Sequence, residues 1–451
     1  MKSKALISFT VLTLVALPMF IGFAGPEAAH GKWDRVAKHS DKLVGELLSM
    51  RSASAKDDDA PYDAYREALD VLKSDYFGDK IDAKKSKDLT YAAIRGMLYS
   101  LNDPFTSFLD SDEWAQMQQT TRGDFEGIGA VLEPFADDVR VVRPIEDSPA
   151  YHAGIKAKDV IVSVGSYDQG PKVKIISTLG KNINEVVKLI KGPKGTKVDV
   201  TVMRKGSMTP ITFHLVRAHI EPPTIRYWME DDQNKIGHIL LNEFNEKSAA
   251  QFDKAYATLS KQGMRGLIFD LRYNPGGLLN VAVDIGRRFV DHGPVVVIQE
   301  KNGQQQGLPR SDARTHDHLP LIVLVNENSA SASEIVAGAI KDSGAGIIVG
   351  EHTFGKGLVQ TLFPLNDHSA LRLTTAKYFT PKLVDISNKY DEDHRPMFGT
   401  GGIKPDVVVK QPDAFVDQDW TDENKKNDAQ LKKAIDILKG RLASLPGRVS
   451  R

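Results

Sequence analysis

Leu267 to Gly277 reads LIFDLRYNPGG, an apolar run that ends in Asn274-Pro275-Gly276-Gly277. A helical pattern, Leu278–Phe289, follows it directly. The run is short, uncharged until Asp270 and rich in branched and aromatic residues, as a buried strand is. The pattern recurs on both sides. Strand signals fall at Ile236–Leu241, Gly266–Leu271, Val295–Gln299, Leu321–Val325 and Gly346–Val349, and helix signals at Ser248–Gln262 and Ala332–Lys341. Alternation on this scale predicts α/β layers. The paired glycines leave backbone N–H groups unobstructed, as an oxyanion site requires. They equally suit a strand-to-helix turn that needs φ > 0.

Two more segments carry chemistry. Asn326–Glu334, NENSASASE, again lies between an apolar strand and a helix, with serines at 329, 331 and 333. Ser331 and Glu334 have the spacing of an ordinary capping box. A serine at a helix start also has free amides beside it and a positive helix end to hold negative charge. Gly355–Gln360, GKGLVQ, places Lys356, Leu358 and Gln360 at alternating positions of an expected strand, so Lys356 and Gln360 share a face. A desolvated lysine loses its proton readily and can accept one from a serine. The alternative is a surface lysine on an exposed strand. Serine with lysine is one nucleophile arrangement. His316, His318 and His352 have no pattern that singles them out for a triad or a metal site, and no HExxH occurs.

The composition sets limits. At roughly 100–200 residues per domain, 451 residues make two to four domains. Apolar residues are 41% and charged residues 26%, values that support real cores. Lys+Arg and Asp+Glu are both 59, so no global field attracts nucleic acid or anionic lipid. Cysteine is absent, which excludes disulfides, thiolate metal sites and a cysteine nucleophile.

Together, DLRYNPGG, NENSASASEI and GEHTFGKGLVQ resemble the carboxyl-terminal processing proteases, also called tail-specific proteases. The resemblance runs from about Pro61 to Val409 and includes NDPFTSFL (Asn102–Leu109) and TGGIKPDV (Thr400–Val407). It implies a multidomain α/β protein with a crotonase-like protease core over 218–415. It also implies Ser331 as nucleophile, Lys356 as general base and Gln360 as the residue orienting the amine. Backbone amides of Gly276 or Gly277 and of Ala332 would form the oxyanion hole. Neither metal nor organic cofactor is implied.

Between 122 and 217 the chain is β-rich, with runs at Asp138–Val142, Val160–Val164 and Lys197–Arg204 and one helix at Ile183–Ile190. FEGIGAVL (Phe125–Leu132) and SPAYHAGIKAKDVIVSVG (Ser148–Gly165) resemble an inserted PDZ domain. Successive amides at Gly127, Ile128, Gly129 and Ala130 could receive a peptide carboxylate, with a strand edge to pair with the bound chain. Partners are therefore proteins or peptides with free C-termini; an adaptor or activator protein and a homo-oligomer are compatible with the helices. The family often has a smaller residue at Tyr273 and a glycine at Asn328. Lys382–Gly399 is a longer, charged insertion than the family carries.

Lys2 and Lys4 precede an apolar run, Ala5–Ala24, that reads as a secretory signal (1–24), so the protein is expected outside the cytoplasm, in the periplasm or an equivalent compartment. Left uncleaved, the run would be a membrane anchor. A linker (25–60) and an N-terminal helical region (61–121) follow; Tyr65, Leu69, Leu72 and Tyr76 mark one helix, and Asn102-Asp103-Pro104 breaks another. The tail (416–451) holds a charged helix, Asp422–Leu445, that reads as a solvated face. Two readings compete with the exported endopeptidase: a non-catalytic peptide-binding scaffold of the same fold, and acyl-CoA chemistry on a crotonase-like layout.

Overall fold

The computed structural model describes residues 60–167, 173–308, 319–391, 396–397, 399–412, 415 and 422–444. The expected signal, most of the linker, and His316 and His318 lie outside these residues. The chain divides into two compact units at Met97–Leu98. In the first, Ala60–Asp75 is helical, as is most of Ala83–Tyr99. The Tyr65 hydroxyl donates to Thr90 Oγ1 at 2.7 Å. The second helix stops at Tyr99, and Asn102 beyond it takes φ 52°, a conformation asparagine tolerates.

The second unit contains two separate hydrophobic cores of different origin. The larger belongs to a six-stranded sheet ordered 225–231, 236–241, 266–270, 321–325, 347–350 and 407–408. All its pairings are parallel except the first. Ile236–Leu241, Gly266–Asp270 and Leu321–Val325 are buried at every position, which is why they read as unbroken apolar runs: a parallel sheet is covered on both faces. Helices Ser248–Lys261, Leu279–Gly286 and Ala332–Ser343 contribute Phe252, Leu259, Ile285 and Val336 to one core cluster. Helix Ala429–Ser444 contributes Leu431, Ala434, Leu438 and Leu442 to another, against Ile236, Ile268, Ile322 and Val349. That helix was expected to be a solvated face. Its lysines are solvated, but its leucines recur at four- and seven-residue spacing and close the sheet.

Val296–Glu300 does not join this sheet. It pairs antiparallel with Gln305–Leu308 and Ala370–Phe379 in a second sheet, which also holds Ser107–Leu109 and Leu358–Pro364.

The remaining core is that of a six-stranded antiparallel sheet, with strands 130–135, 138–144, 160–166, 174–177, 197–203 and 211–216. Helix Ile183–Ile190, capped by Asn182 and Glu185, packs Val186 and Ile190 into it. This is the β-rich region of the sequence. The chain enters and leaves it through a two-stranded ribbon, Phe125–Gly127 against Ala218–Ile220.

Candidate active site

The turn after strand Gly266–Asp270 is built by side chains bonding to backbone. Asn274, fully buried, donates to the Leu241 carbonyl at 2.8 Å and accepts from the Gly276 amide at 2.9 Å. Gly276 (φ 105°) and Gly277 (φ 142°) stand where only glycine fits. A Cβ on Gly276 would lie 2.8 Å from Ser331 Cβ and 3.0 Å from the Ala332 nitrogen, and one on Gly277 would lie 2.1 Å from the Phe244 carbonyl oxygen. The glycine turn and the start of helix Ala332–Ser343 are thus in direct contact. The Gly276 amide is already spent on Asn274, so Gly277 and Ala332 are the better pair of donors for an oxyanion.

The three serines separate cleanly. Ser329 and Ser333 are fully buried, and their hydroxyls donate to the carbonyls of Leu271 and Asn274, both at 2.9 Å. They fasten the helix start to the glycine turn. Ser331 is half-buried, at φ 53° and ψ −112°, an uncommon backbone conformation for a residue with a side chain. Such strain persists only where the surroundings impose it, and it clusters at functional sites.

What imposes it is Glu334. This buried carboxylate accepts from the amides of Ser331 (2.8 Å), Gly355 (2.7 Å) and Lys356 (2.9 Å) and from Thr353 Oγ1 (2.6 Å). The Ser331 and Lys356 amides converge on the same oxygen, Oε2. Tyr378, also buried, is a second hold on the loop: its hydroxyl donates to the Lys356 carbonyl. Burial pushes the Glu334 carboxyl up, against the pull of its four hydrogen bonds. The capping-box spacing found this residue, but not its reach across to the lysine loop.

Lys356 lies in that loop, ahead of the strand. The strand begins at Leu358, two residues after Lys356, and its register against strand Ala370–Phe379 shifts between Val359 and Gln360, with Thr375 the extra residue on the partner. Gln360 Nε2 donates to the Leu358 carbonyl at 3.3 Å, so its amide is engaged within its own strand. The Lys356 ammonium sits 5.0 Å from the centre of the Phe105 ring. Burial and then the Arg372 charge hold Lys356 below the ordinary lysine range, while Glu334 and Asp103 pull the other way. Lowered proton affinity favours the neutral amine that proton acceptance needs. Phe105 and Asp103 belong to NDPFTSFL, whose place beside Lys356 no local pattern disclosed.

The four amides expected to bind a carboxylate divide between elements. Gly127 ends the ribbon and Ala130 opens strand Ala130–Phe135, with Ile128 and Gly129 crossing between them. The Ile128 carbonyl accepts from Ala150 N, and that of Gly129 from Ile145 N and Ser148 Oγ. Among the described residues, strand Ala130–Phe135 pairs on one side only, with Asp138–Pro144, so its other edge is open.

Residues 235–409 match the family model of peptidase family S41. A carboxy-terminal processing protease of Bacillus subtilis (strain 168) is 36% identical over 402 residues, covering 88% of this chain and 80% of that protein. One from Bartonella bacilliformis is 38% identical over 327 residues, 71% of this chain and 69% of its own length. A solved photosystem II D1 C-terminal processing protease aligns at 32% identity over 77% of this chain and 88% of its own, with a TM-score of 0.44. With that identity sustained across most of both chains, the protein belongs to peptidase family S41 and is a serine-type endopeptidase of the carboxy-terminal processing kind.

Proposed function

We propose that this protease is exported, that it selects proteins and peptides by their C-termini through a PDZ domain formed by residues 122–217, and that it cleaves them by a Ser/Lys mechanism in a crotonase-like core. The observation that carries the chemistry is the single Glu334 oxygen shared by the amides of Ser331 and Lys356. It ties two residues distant in sequence into one site, one of them strained and the other with lowered proton affinity.

In this reading Ser331 attacks the scissile carbonyl while neutral Lys356 takes its proton. The amides of Gly277 and Ala332 hold the developing oxyanion, aided by the positive end of helix Ala332–Ser343. The tetrahedral species collapses, the C–N bond breaks, and the leaving amine takes the proton back from Lys356. Water then attacks the acyl-enzyme with Lys356 again as base. The family resemblance gives Gln360 the part of orienting the amine, for which Oε1 is the acceptor while Nε2 donates to the Leu358 carbonyl. A substrate tail would extend the sheet along the open edge of strand Ala130–Phe135, its carboxylate received by free amides of the Gly127–Ala130 crossing. The signal run Ala5–Ala24 supports export.

The test compares the protein with its Ser331→Ala and Lys356→Ala variants on an unfolded protein bearing a free or an amidated C-terminus, with products identified by mass spectrometry. Cleavage by the parent alone, favoured by the free carboxylate, is expected. Tail-peptide affinity should survive both substitutions. Turnover by Lys356→Ala would refute the base assignment, and indifference to amidation would refute tail recognition.

A further inference from the structure

The insertion Lys382–Gly399, the segment in which this chain departs most from its family's pattern, is rooted on the loop that carries Lys356. Its first residues, 382–385, are exposed, but Ile386 and Asn388 are buried. The Asn388 amide donates to the Gly355 carbonyl at 2.9 Å, its Nδ2 donates to the Phe354 carbonyl, and its Oδ1 accepts from the Gly401 amide at 3.0 Å. A Cβ on Gly355 would come within 2.6 Å of the Asn388 side chain, and one on Gly357 within 2.5 Å of Ser387 Oγ. Both glycines flanking Lys356 are therefore in close contact with the root of the insertion.

Residues 354–357 lie outside any strand, and glycine on each side of Lys356 gives that backbone more freedom than any other pair would. Tyr378 holds the carbonyls of Lys356 and Gly357, and two further groups remove the freedom that remains. Glu334 takes the N–H groups of Gly355 and Lys356, and Asn388 takes the carbonyls of Phe354 and Gly355. The reacting amine sits at the end of a flexible four-carbon stem, so small movements of this backbone reach it undiminished. A misplacement of about 1 Å at a reacting group costs on the order of 100-fold in rate.

We propose that Asn388 is a positioning residue for the general base: the insertion seats the Lys356 loop by holding its carbonyls, while Glu334 holds its amides. The inference rests on Lys356 acting as base. Groups that act on that amine are Glu334 and Asp103, which favour its charge, and Arg372, which opposes it. Tyr390, further along the insertion, feels the Asp103 charge, after burial, in its own raised proton affinity.

The experiment measures kcat, KM and the pH dependence of kcat/KM for the full chain and for Asn388→Ala, Asn388→Asp and Lys356→Ala. Asn388→Asp keeps the side chain's size and its acceptor for Gly401 but loses the donor to Phe354, so it remains folded where the alanine variant fails. Both Asn388 variants are expected to lose on the order of 100-fold in kcat with KM within about 2-fold of the parent. In Asn388→Ala, which adds no charge, the acid limb of the profile should move to higher pH, because an unseated lysine regains water and with it proton affinity. A wild-type Asn388→Asp, or a lower kcat with an unmoved limb in Asn388→Ala, overturns the proposal and leaves the base assignment standing. An active Lys356→Ala overturns both.

Discussion

Glu334→Gln tests the shared carboxylate most directly. The substitution keeps shape and volume but replaces one acceptor oxygen with a donor. Its cheapest orientation leaves the remaining oxygen facing the amides of Ser331 and Lys356 and turns the NH2 toward Thr353 and Gly355. Thr353 Oγ1 already accepts from the Ile403 amide at 2.6 Å and has a second lone pair to offer. The Gly355 N–H is then left without a partner, at about 1–3 kcal/mol, and the Thr353 hydroxyl proton must turn to a new acceptor. The other two bonds weaken on losing the charge. That loss is offset, because burial raises the carboxyl's pKa in spite of four hydrogen bonds, so the charge is itself costly to bury. The net destabilisation is about 1–3 kcal/mol, small against the 5–15 kcal/mol typical of folded domains. The variant should therefore fold, with kcat reduced on the order of 100-fold as the released Gly355 amide lets the Lys356 loop shift by about 1 Å. A pKa raised above the ordinary 4.5 means that this group's contribution is complete below 4.5 and drains away as pH rises through the folded value. The stability gap between parent and variant should accordingly be wider near about pH 4 than near about pH 8. Urea unfolding across that range, paired with turnover, is the assay. An unchanged midpoint with unchanged kcat would refute the reasoning, and a gap that widens toward high pH would refute its electrostatic part.

Gly277→Ala places a Cβ against the Phe244 carbonyl, so kcat should fall on the order of 100-fold or more as the donor turn is displaced, read from single-turnover acylation. Arg272 is buried between Asp270 and Asp428, at 2.7 and 2.9 Å. Arg272→Met takes the shared cation from two buried carboxylates, leaving Asp270 to His238 and Asp428 to Gln411 and the Leu431 amide, and should cost about 3–5 kcal/mol in urea unfolding; a loss under about 1 kcal/mol would show that these remaining partners suffice. Burial pushes the Asp231 carboxyl up, but bonds from Asn234 and from Lys439 on helix Ala429–Ser444 hold it down to about 2. Its contribution is thus present above the ordinary 3.8 and lost as pH falls through about 2. Lys439→Met should move the onset of acid unfolding to higher pH, measured by circular dichroism, and an unmoved onset would exclude the pair from acid stability.

The layers of the core were legible because buried parallel strands announce themselves as apolar runs, and the site was legible because serine and glycine are confined to the turns that follow them. Where reading failed, the cause was non-local. Val296–Glu300 looks like its neighbours, yet nothing in its own residues says which sheet it will join. Glu334 has the spacing of a cap, but its partners at 353–356 are a different turn of chain. Lys356 and Gln360 would share a face only on one regular strand, and the strand begins two residues after Lys356, at Leu358. In helix Ala429–Ser444 the lysines masked a leucine stripe that only the facing sheet makes decisive.

The ribbon of Phe125–Gly127 and Ala218–Ile220 has a mechanical consequence. Glu126 stands opposite His219 in an antiparallel pair, so the two covalent connections of the β-rich body run as one cord. Lys247 grips that cord where it meets the core, bonding Glu221 at 2.6 Å with Asp124 at 3.8 Å. A body suspended on two independent strands can tilt in several directions, whereas one suspended on a paired ribbon chiefly twists about the ribbon's axis. A pull on a tail held along strand Ala130–Phe135 would then reach the core as torque at Lys247, shared with the ties of Lys188 to Asp112 at 3.0 Å and Lys191 to Gln119 at 3.3 Å.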